Sequence, residues 1–329
     1  MHDNPNAAPS IDEIRSLRER LREWLVTTPV IRCRNLEDRF AEGAEIWAKL
    51  EFLQQTGTFK PRGALSVVLG LSKEQCDAGI TAVSAGNHAI AASFAAQAVG
   101  ASAKVVMIRT ASPVRIEACK SYGAEVVLAD DVYEAFARVE EIRQSEGRFF
   151  VHPFEGPAVA AGTATVGLEI CEQVGDFDAL VVPIGGGGLC AGISCAVKQL
   201  NPDCKIFGVE PEGADSMHRS FASGKAESIE RVDTIADSLG APFAMPYSFD
   251  LCRRHVDELV MVSDDEMREA MGILFHDMKM AVEPACAATT AAFAGPLSGR
   301  LSGKKVVLVY CGSNIDWMTY QTHAALAAC

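Results

Sequence analysis

The chain has 329 residues, 49% of them hydrophobic and 22% charged, with 43 acidic against 30 basic side chains and a formal net charge of −13. That composition supports a substantial core and excludes a disordered or collagen-like chain. The length fits about two domains of ~150 residues or one large α/β unit, and the acidic average field repels a polyanion, so no nucleic-acid partner is expected.

Chain order begins with a polar N-terminus that lacks an apolar h-region, so no export signal is expected. Ser10 and Glu13 form a capping box ahead of Ile11, Ile14, Leu17, Leu21 and Trp24, which recur at helical spacing. Residues 45–53 read as a strand. Further short apolar runs rich in Val and Ile follow at 79–83, 103–108, 124–129, 148–151, 178–184, 205–210, 258–262 and 305–310. Segments of helical length separate most of them, which predicts α/β architecture with parallel sheets covered on both faces. The four runs between 79 and 151 suggest a compact four-stranded unit inserted in a larger sheet.

Residues 179–197 are uncharged, near the ~20 residues that a bilayer crossing needs. Pro183 and the succession Gly185, Gly186, Gly187, Gly188 break any continuous helix there, so the expected reading is strand, glycine loop and helix, with no membrane partner. Eleven cysteines, an odd number without a C-x-x-C pair, read as reduced thiols of a cytoplasmic protein.

Three loops at strand ends are unusual: Ser84-Ala85-Gly86-Asn87-His88, the four glycines, and Cys311-Gly312-Ser313-Asn314. Ligands of open α/β sheets gather at such ends. A glycine loop that opens a helix lets backbone N–H groups surround a phosphate. Neither a dinucleotide fingerprint nor a Walker loop is present, so a nucleotide is not indicated. An isolated lysine is ordinarily a solvated surface residue, but Lys60 sits between Phe59 and Pro61 in the Gly/Thr-rich turn T-G-T-F-K-P-R-G. Pro61 biases Lys60 away from helical backbone.

Taken in order, T-G-T-F-K-P-R-G, S-A-G-N-H, G-G-G-G-L and C-G-S-N resemble the fold-type-II pyridoxal-phosphate enzymes, within them the threonine/serine dehydratase and serine racemase group. The similarity runs from Thr28-Pro29 to Asn314 and includes H-P-F-E-G-P at 152–157, G-V-E-P at 208–211 and T-I-A-D at 234–237. It implies two open, twisted, mostly parallel sheets with helices on both faces, as in tryptophan synthase β. A large cofactor domain of residues 1–68 and 153–329 would hold a small domain of residues 69–152. A homodimer acting on a small amino acid is implied, and the feedback domain of biosynthetic threonine dehydratases is not expected.

By the same resemblance, Lys60 matches the lysine that forms the Schiff base with pyridoxal 5′-phosphate, and Phe59 packs beside the ring. Gly185 to Gly188 cradle the phosphate, with Leu189 opening the helix behind. Asn87 bonds the phenolic oxygen, and Cys311, with Ser313 as competitor, faces the pyridine nitrogen. Ser84, Ala85, His88 and Ser238 fall at substrate-binding positions, although a packed, hydrogen-bonded role is equally open for His88. Some relatives hold Mg2+ or Ca2+ through positions matching Glu210 and the Ala214 carbonyl. Ser216 stands where a second acid would be, which predicts weak binding at most.

The implied reaction is β-elimination on a β-hydroxy-α-amino acid, L-threonine or L-serine first, giving a 2-oxo acid and ammonia. A serine or aspartate racemase and a dehydratase of 3-hydroxyaspartate or another β-hydroxy amino acid are the alternatives. Ala85 occupies the position where serine racemases carry a proton-exchanging serine, which favours elimination. The departures A-G-T-A-T at 161–165 and T-I-A-D-S at 234–238 leave the substrate open.

Overall fold

The structure, a computed structural model, describes residues 7–40, 43–84 and 86–326. Its strands are β1 (Val30–Arg32), β2 (Glu45–Leu50), β3 (Ile80–Val83), β4 (Ala103–Ile108), β5 (Glu125–Ala129), β6 (Phe149–Phe150), β7 (Ala179–Pro183), β8 (Lys205–Pro211), β9 (Glu258–Val262) and β10 (Lys305–Tyr310). They form two sheets. One has six strands in the order β1-β2-β10-β7-β8-β9, the other four in the order β5-β4-β3-β6. All pairings are parallel except β1 with β2.

Apolar runs make these strands because both faces are covered. Every residue of β3 and of β7 is buried, as expected for parallel strands crossed by helices. Ile46, Val181, Ile206 and Val307 share the larger core. Ile80, Val105 and Met107 share a second one, onto which Leu17, Leu21 and Leu65 also pack. The four-stranded sheet takes its strands from residues 80–150 alone, as the spacing of the apolar runs suggests.

The first helix, Ile11–Leu21, carries its capping box. Ser10 Oγ accepts from the Glu13 N–H, and the Glu13 carboxylate accepts from Ser10 N–H at 2.8 Å. Two expectations need correction. The strand predicted at 45–53 stops at Leu50 and becomes a 3-10 turn at Glu51–Leu53. Glu51 is the reason, since its carboxylate turns inward to accept from Arg62 Nε at 2.7 Å and Nη2 at 2.8 Å. Lys60 is not outside helical structure either; it is the first residue of the helix Lys60–Val68, with Pro61 in the first turn. There the N–H that proline lacks has no helical acceptor to lose.

Candidate active site

Two of the sequence motifs are joined directly. Thr58 and Gly312 form an isolated antiparallel bridge. Phe59 N–H donates to the Cys311 carbonyl at 3.1 Å, and Ser313 N–H to the Gly57 carbonyl at 3.1 Å. Lys60 thereby opens its helix beside Cys311. One cavity is lined by Phe59, Lys60, Asn87, Phe154, the four glycines, Ser238, Glu283 and Cys311, among others.

Lys60 Nζ donates to the Pro153 carbonyl at 2.9 Å and lies 5.1 Å from the centre of the Phe59 ring. Among the described residues it forms no ion pair with a carboxylate. Burial pulls its pKa down to about 8, against smaller opposing pulls from Cys311 and Glu283. A desolvated lysine with only a carbonyl partner keeps an appreciable neutral fraction, the form that attacks a carbonyl carbon.

Gly185 to Gly188 follow β7 and open the helix Gly188–Leu200. Side chains are barred along the loop. A Cβ at Gly186 would fall 2.3 Å from the Phe154 ring, one at Gly188 would fall 2.4 Å from the Phe154 carbonyl oxygen, and Gly187 has a φ of +92°. Among the described residues, the backbone N–H groups of these four glycines donate to no chain acceptor. Unpaired, buried donors at a helix N-terminus form an anion cradle. The donor set fits the phosphate of pyridoxal phosphate.

Asn87 belongs to a wider polar set. Its Nδ2 donates to Ser238 Oγ at 2.9 Å and to the Glu283 carboxylate at 2.9 and 3.0 Å, while its Oδ1 accepts from Asn314 Nδ2 at 2.9 Å. Arg115 donates from Nε to the Asn314 carbonyl at 2.8 Å, pairs with Asp237 and lies 3.7 Å from Glu283. Burial raises the Glu283 pKa, partly opposed by Arg115. Glu283, Arg115 and Phe154 were not singled out by sequence reasoning; the only available signal for Glu283 was its place just before Pro284 at a helix start.

The remaining predicted residues divide. Ser84 Oγ accepts from Gly86 N–H at 3.0 Å and His88 N–H at 3.3 Å, so it braces the loop and is not among the cavity-lining residues. Ala85 lies outside the described residues. His88 is a packed histidine: its Nε2 donates to the Val151 carbonyl at 2.8 Å, and burial, with Lys60 second, holds its pKa down to about 3. Leu189 and Cys311 line the cavity, whereas Ser313 does not. Cys311 is pushed well above the usual thiol value by its hydrogen bond with Cys286 and by burial.

The cation positions do not fit a metal. The Glu210 carboxylate already accepts from Met217 N–H, His218 N–H and His218 Nδ1 at 2.8, 2.8 and 2.7 Å, capping the helix Ser216–Ser223. No cluster of three or more His, Cys, Asp or Glu suited to a metal occurs among the described residues, at Glu210 and Ala214 or elsewhere. Also among the described residues, no helix is long and apolar enough to cross a membrane.

The profile of the family described as "Pyridoxal-phosphate dependent enzyme" matches residues 22–312. Over 318 residues, 97% of each chain, the sequence is 53% identical to a phenylserine dehydratase of Ralstonia pickettii. An L-threonine ammonia-lyase of Thermotoga maritima is 41% identical over 275 residues, covering 83% of this chain and 68% of that one. Among solved structures, maize serine racemase superposes with a TM-score of 0.90 at 32% identity, covering 96% of this chain and 97% of the other.

Proposed function

The chain belongs to the pyridoxal-phosphate dependent enzymes, and from that premise we propose how its residues share the work. It is an ammonia-lyase that eliminates the β-hydroxyl of a β-hydroxy-α-amino acid. In our reading Lys60 carries the cofactor and afterwards exchanges the proton at the substrate Cα. Gly185 to Gly188 hold the phosphate ahead of Leu189, Asn87 faces the phenolic oxygen, Phe59 flanks the ring and Cys311 faces the ring nitrogen. The bound cofactor supplies electron withdrawal from the substrate Cα.

Each chain residue is suited to its part. Lys60, with its pKa near 8, has both the neutral form for attack and the protonated form for return of a proton. Asn87 is fixed in one orientation by Glu283 and Asn314. Cys311 stays a neutral thiol and offers the ring nitrogen no charge. Ser238 and Asn87 line one side of the cavity, and Arg115 stands behind them against the Asn314 carbonyl and Glu283. We read residues 69–152 as a unit inserted between 1–68 and 153–329, supported by the separate four-stranded sheet. The ten described cysteines are all free thiols, which supports a reducing, cytoplasmic setting.

One observation carries this reading: among the described residues, a half-buried lysine bonded to a carbonyl and to no carboxylate shares a cavity with a glycine loop whose amides are unpaired. The test is 2-oxo acid and ammonia release from L-serine, L-threonine, 3-hydroxyaspartate and L-phenylserine, the last prompted by the relative at 53% identity. Stoichiometric release of both products from at least one of them is expected. D-serine formed from L-serine as fast as pyruvate would point instead to a racemase.

A further inference from the structure

An aromatic file leads out of the cavity. Phe154, which lines it, has its ring centre 6.1 Å from that of Phe243, and Phe243 lies 5.4 Å from Phe136. The edge of His152 meets Phe154 at 4.6 Å, and its Nδ1 accepts from the Phe154 and Glu155 N–H groups, which locks the imidazole in place. Phe154 is buried, whereas Phe243 and Phe136 are only partly so. The file thus runs from the interior toward the rim.

Its members come from separate parts of the fold. Phe136 stands on the helix Val132–Glu146, which packs on the four-stranded sheet. Phe243 follows the 3-10 turn Asp237–Leu239, whose Ser238 and Leu239 line the cavity, and is tied back by a β-bridge to Ser228. Tyr133 of the same helix reaches the Glu230 carbonyl at 3.4 Å. Two elements therefore meet through aromatic side chains beside the cavity.

Charge narrows what this side can accept. Lys60 and Glu283 are the only Lys, Arg, His, Asp or Glu among the cavity's lining residues. Arg115, close by, is committed to Asp237 and the Asn314 carbonyl. A second substrate carboxylate, as in 3-hydroxyaspartate, would find no free cation among these lining residues once Lys60 has acted. Phe154 packs on Gly186 at the cavity wall, and Phe243 and Phe136 extend the aromatic surface outward beyond the lining residues. An aryl group would bury against these rings, with ring–ring contacts in the 4.5–7 Å range typical of aromatic pairs.

We propose that Phe154, Phe243 and Phe136 form the subsite for the substrate's β-substituent and select an aromatic ring there. This rests on the lyase reading above, and it assigns specificity to residues that take no part in proton transfer. Ring contacts of this kind are each worth roughly two- to tenfold in binding.

The test compares kcat/KM of the holoenzyme for L-phenylserine and L-threonine in wild type, Phe243→Ala and Phe136→Ala. The wild type should favour phenylserine by roughly tenfold or more, and each variant should lower that ratio about fivefold, mainly through KM for phenylserine. A second readout avoids turnover: L-phenylalanine should perturb the cofactor's visible absorption at lower concentration than L-alanine does, and the variants should narrow that gap. Should an alanine variant lose the cofactor band, Phe243→Leu and Phe136→Leu keep apolar volume without a ring and carry the same expected fall. Equal or better use of threonine by the wild type, or an unchanged ratio in variants that retain the band, would overturn the subsite alone. Turnover of no β-hydroxy amino acid would overturn the lyase reading and the subsite with it.

Discussion

Lys60 and Arg62 stand two residues apart on one helix, Lys60 half-buried and Arg62 fully so, and loss of water has opposite outcomes for them. Arg62 donates to both oxygens of Glu51 and both of Glu169 at 2.7–2.8 Å, and to Thr165 Oγ1 at 3.0 Å. Lys49 joins the same set through Glu169 at 2.5 Å and the Thr28 carbonyl at 2.7 Å. Two cations and two anions cancel there. Burial alone would weaken the Arg62 proton affinity, but Glu51 and Glu169 outweigh it and hold the pKa above the usual arginine value. Lys60 has a carbonyl where Arg62 has carboxylates, so desolvation wins and its pKa falls to about 8. Between Arg62 and Lys60 the partner tips the balance, although at Lys49 desolvation outweighs even Glu51 and Glu169 and lowers the pKa.

The largest effect separates the two positions by function. Lys60→Ala should lower 2-oxo acid formation by at least ~10³-fold and abolish the visible band of lysine-bound cofactor, while far-UV circular dichroism stays native. Retention of the band would mean that another lysine holds the cofactor. Arg62→Met should do the reverse. It strands two buried carboxylates, which should cost about 3–5 kcal/mol in urea unfolding, while any folded fraction still takes up cofactor. Loss of cofactor capture without loss of stability would erase the contrast.

The smaller effects are in pH dependence. Capture of pyridoxal phosphate by the apo-protein needs neutral Lys60, so its rate should rise with pH and level off above about 8. Below that it should fall roughly tenfold per pH unit, as the neutral fraction does. The negative charge of Glu283 favours the Lys60 ammonium, so removing it in Glu283→Gln should move the midpoint to lower pH. Movement to higher pH would show that Asn87 repositioning outweighs the charge.

Legibility followed the same divide. Lys60 and the glycine loop could be read because neighbouring residues restrict them: Phe59, Pro61 and a strand–glycine–helix succession leave few ordinary explanations. The Lys49–Glu51–Arg62–Glu169 set could not, since each charge, taken in sequence, looks like a solvated face, and only the crossing of β2 with the helices Lys60–Val68 and Pro157–Val174 joins them. Glu283 was hidden for the same reason, its partners Asn87 and Arg115 lying far away in the chain. β1 has three residues on an antiparallel edge, too short to give a period. Cys311 and Ser313 were indistinguishable by spacing, and the bridge between Thr58 and Gly312 is what turns Cys311 toward the cavity.

The account turns on Lys60 being the cavity lysine, with a carbonyl partner in place of a carboxylate, so that it can carry the cofactor. Borohydride reduction of the holoenzyme, followed by peptide mass spectrometry, tests that most directly. The pyridoxyl label should fall on the peptide containing Lys60, with Lys49 unlabelled. A label on Lys49 or on any other lysine, with Lys60 unmodified, would contradict it.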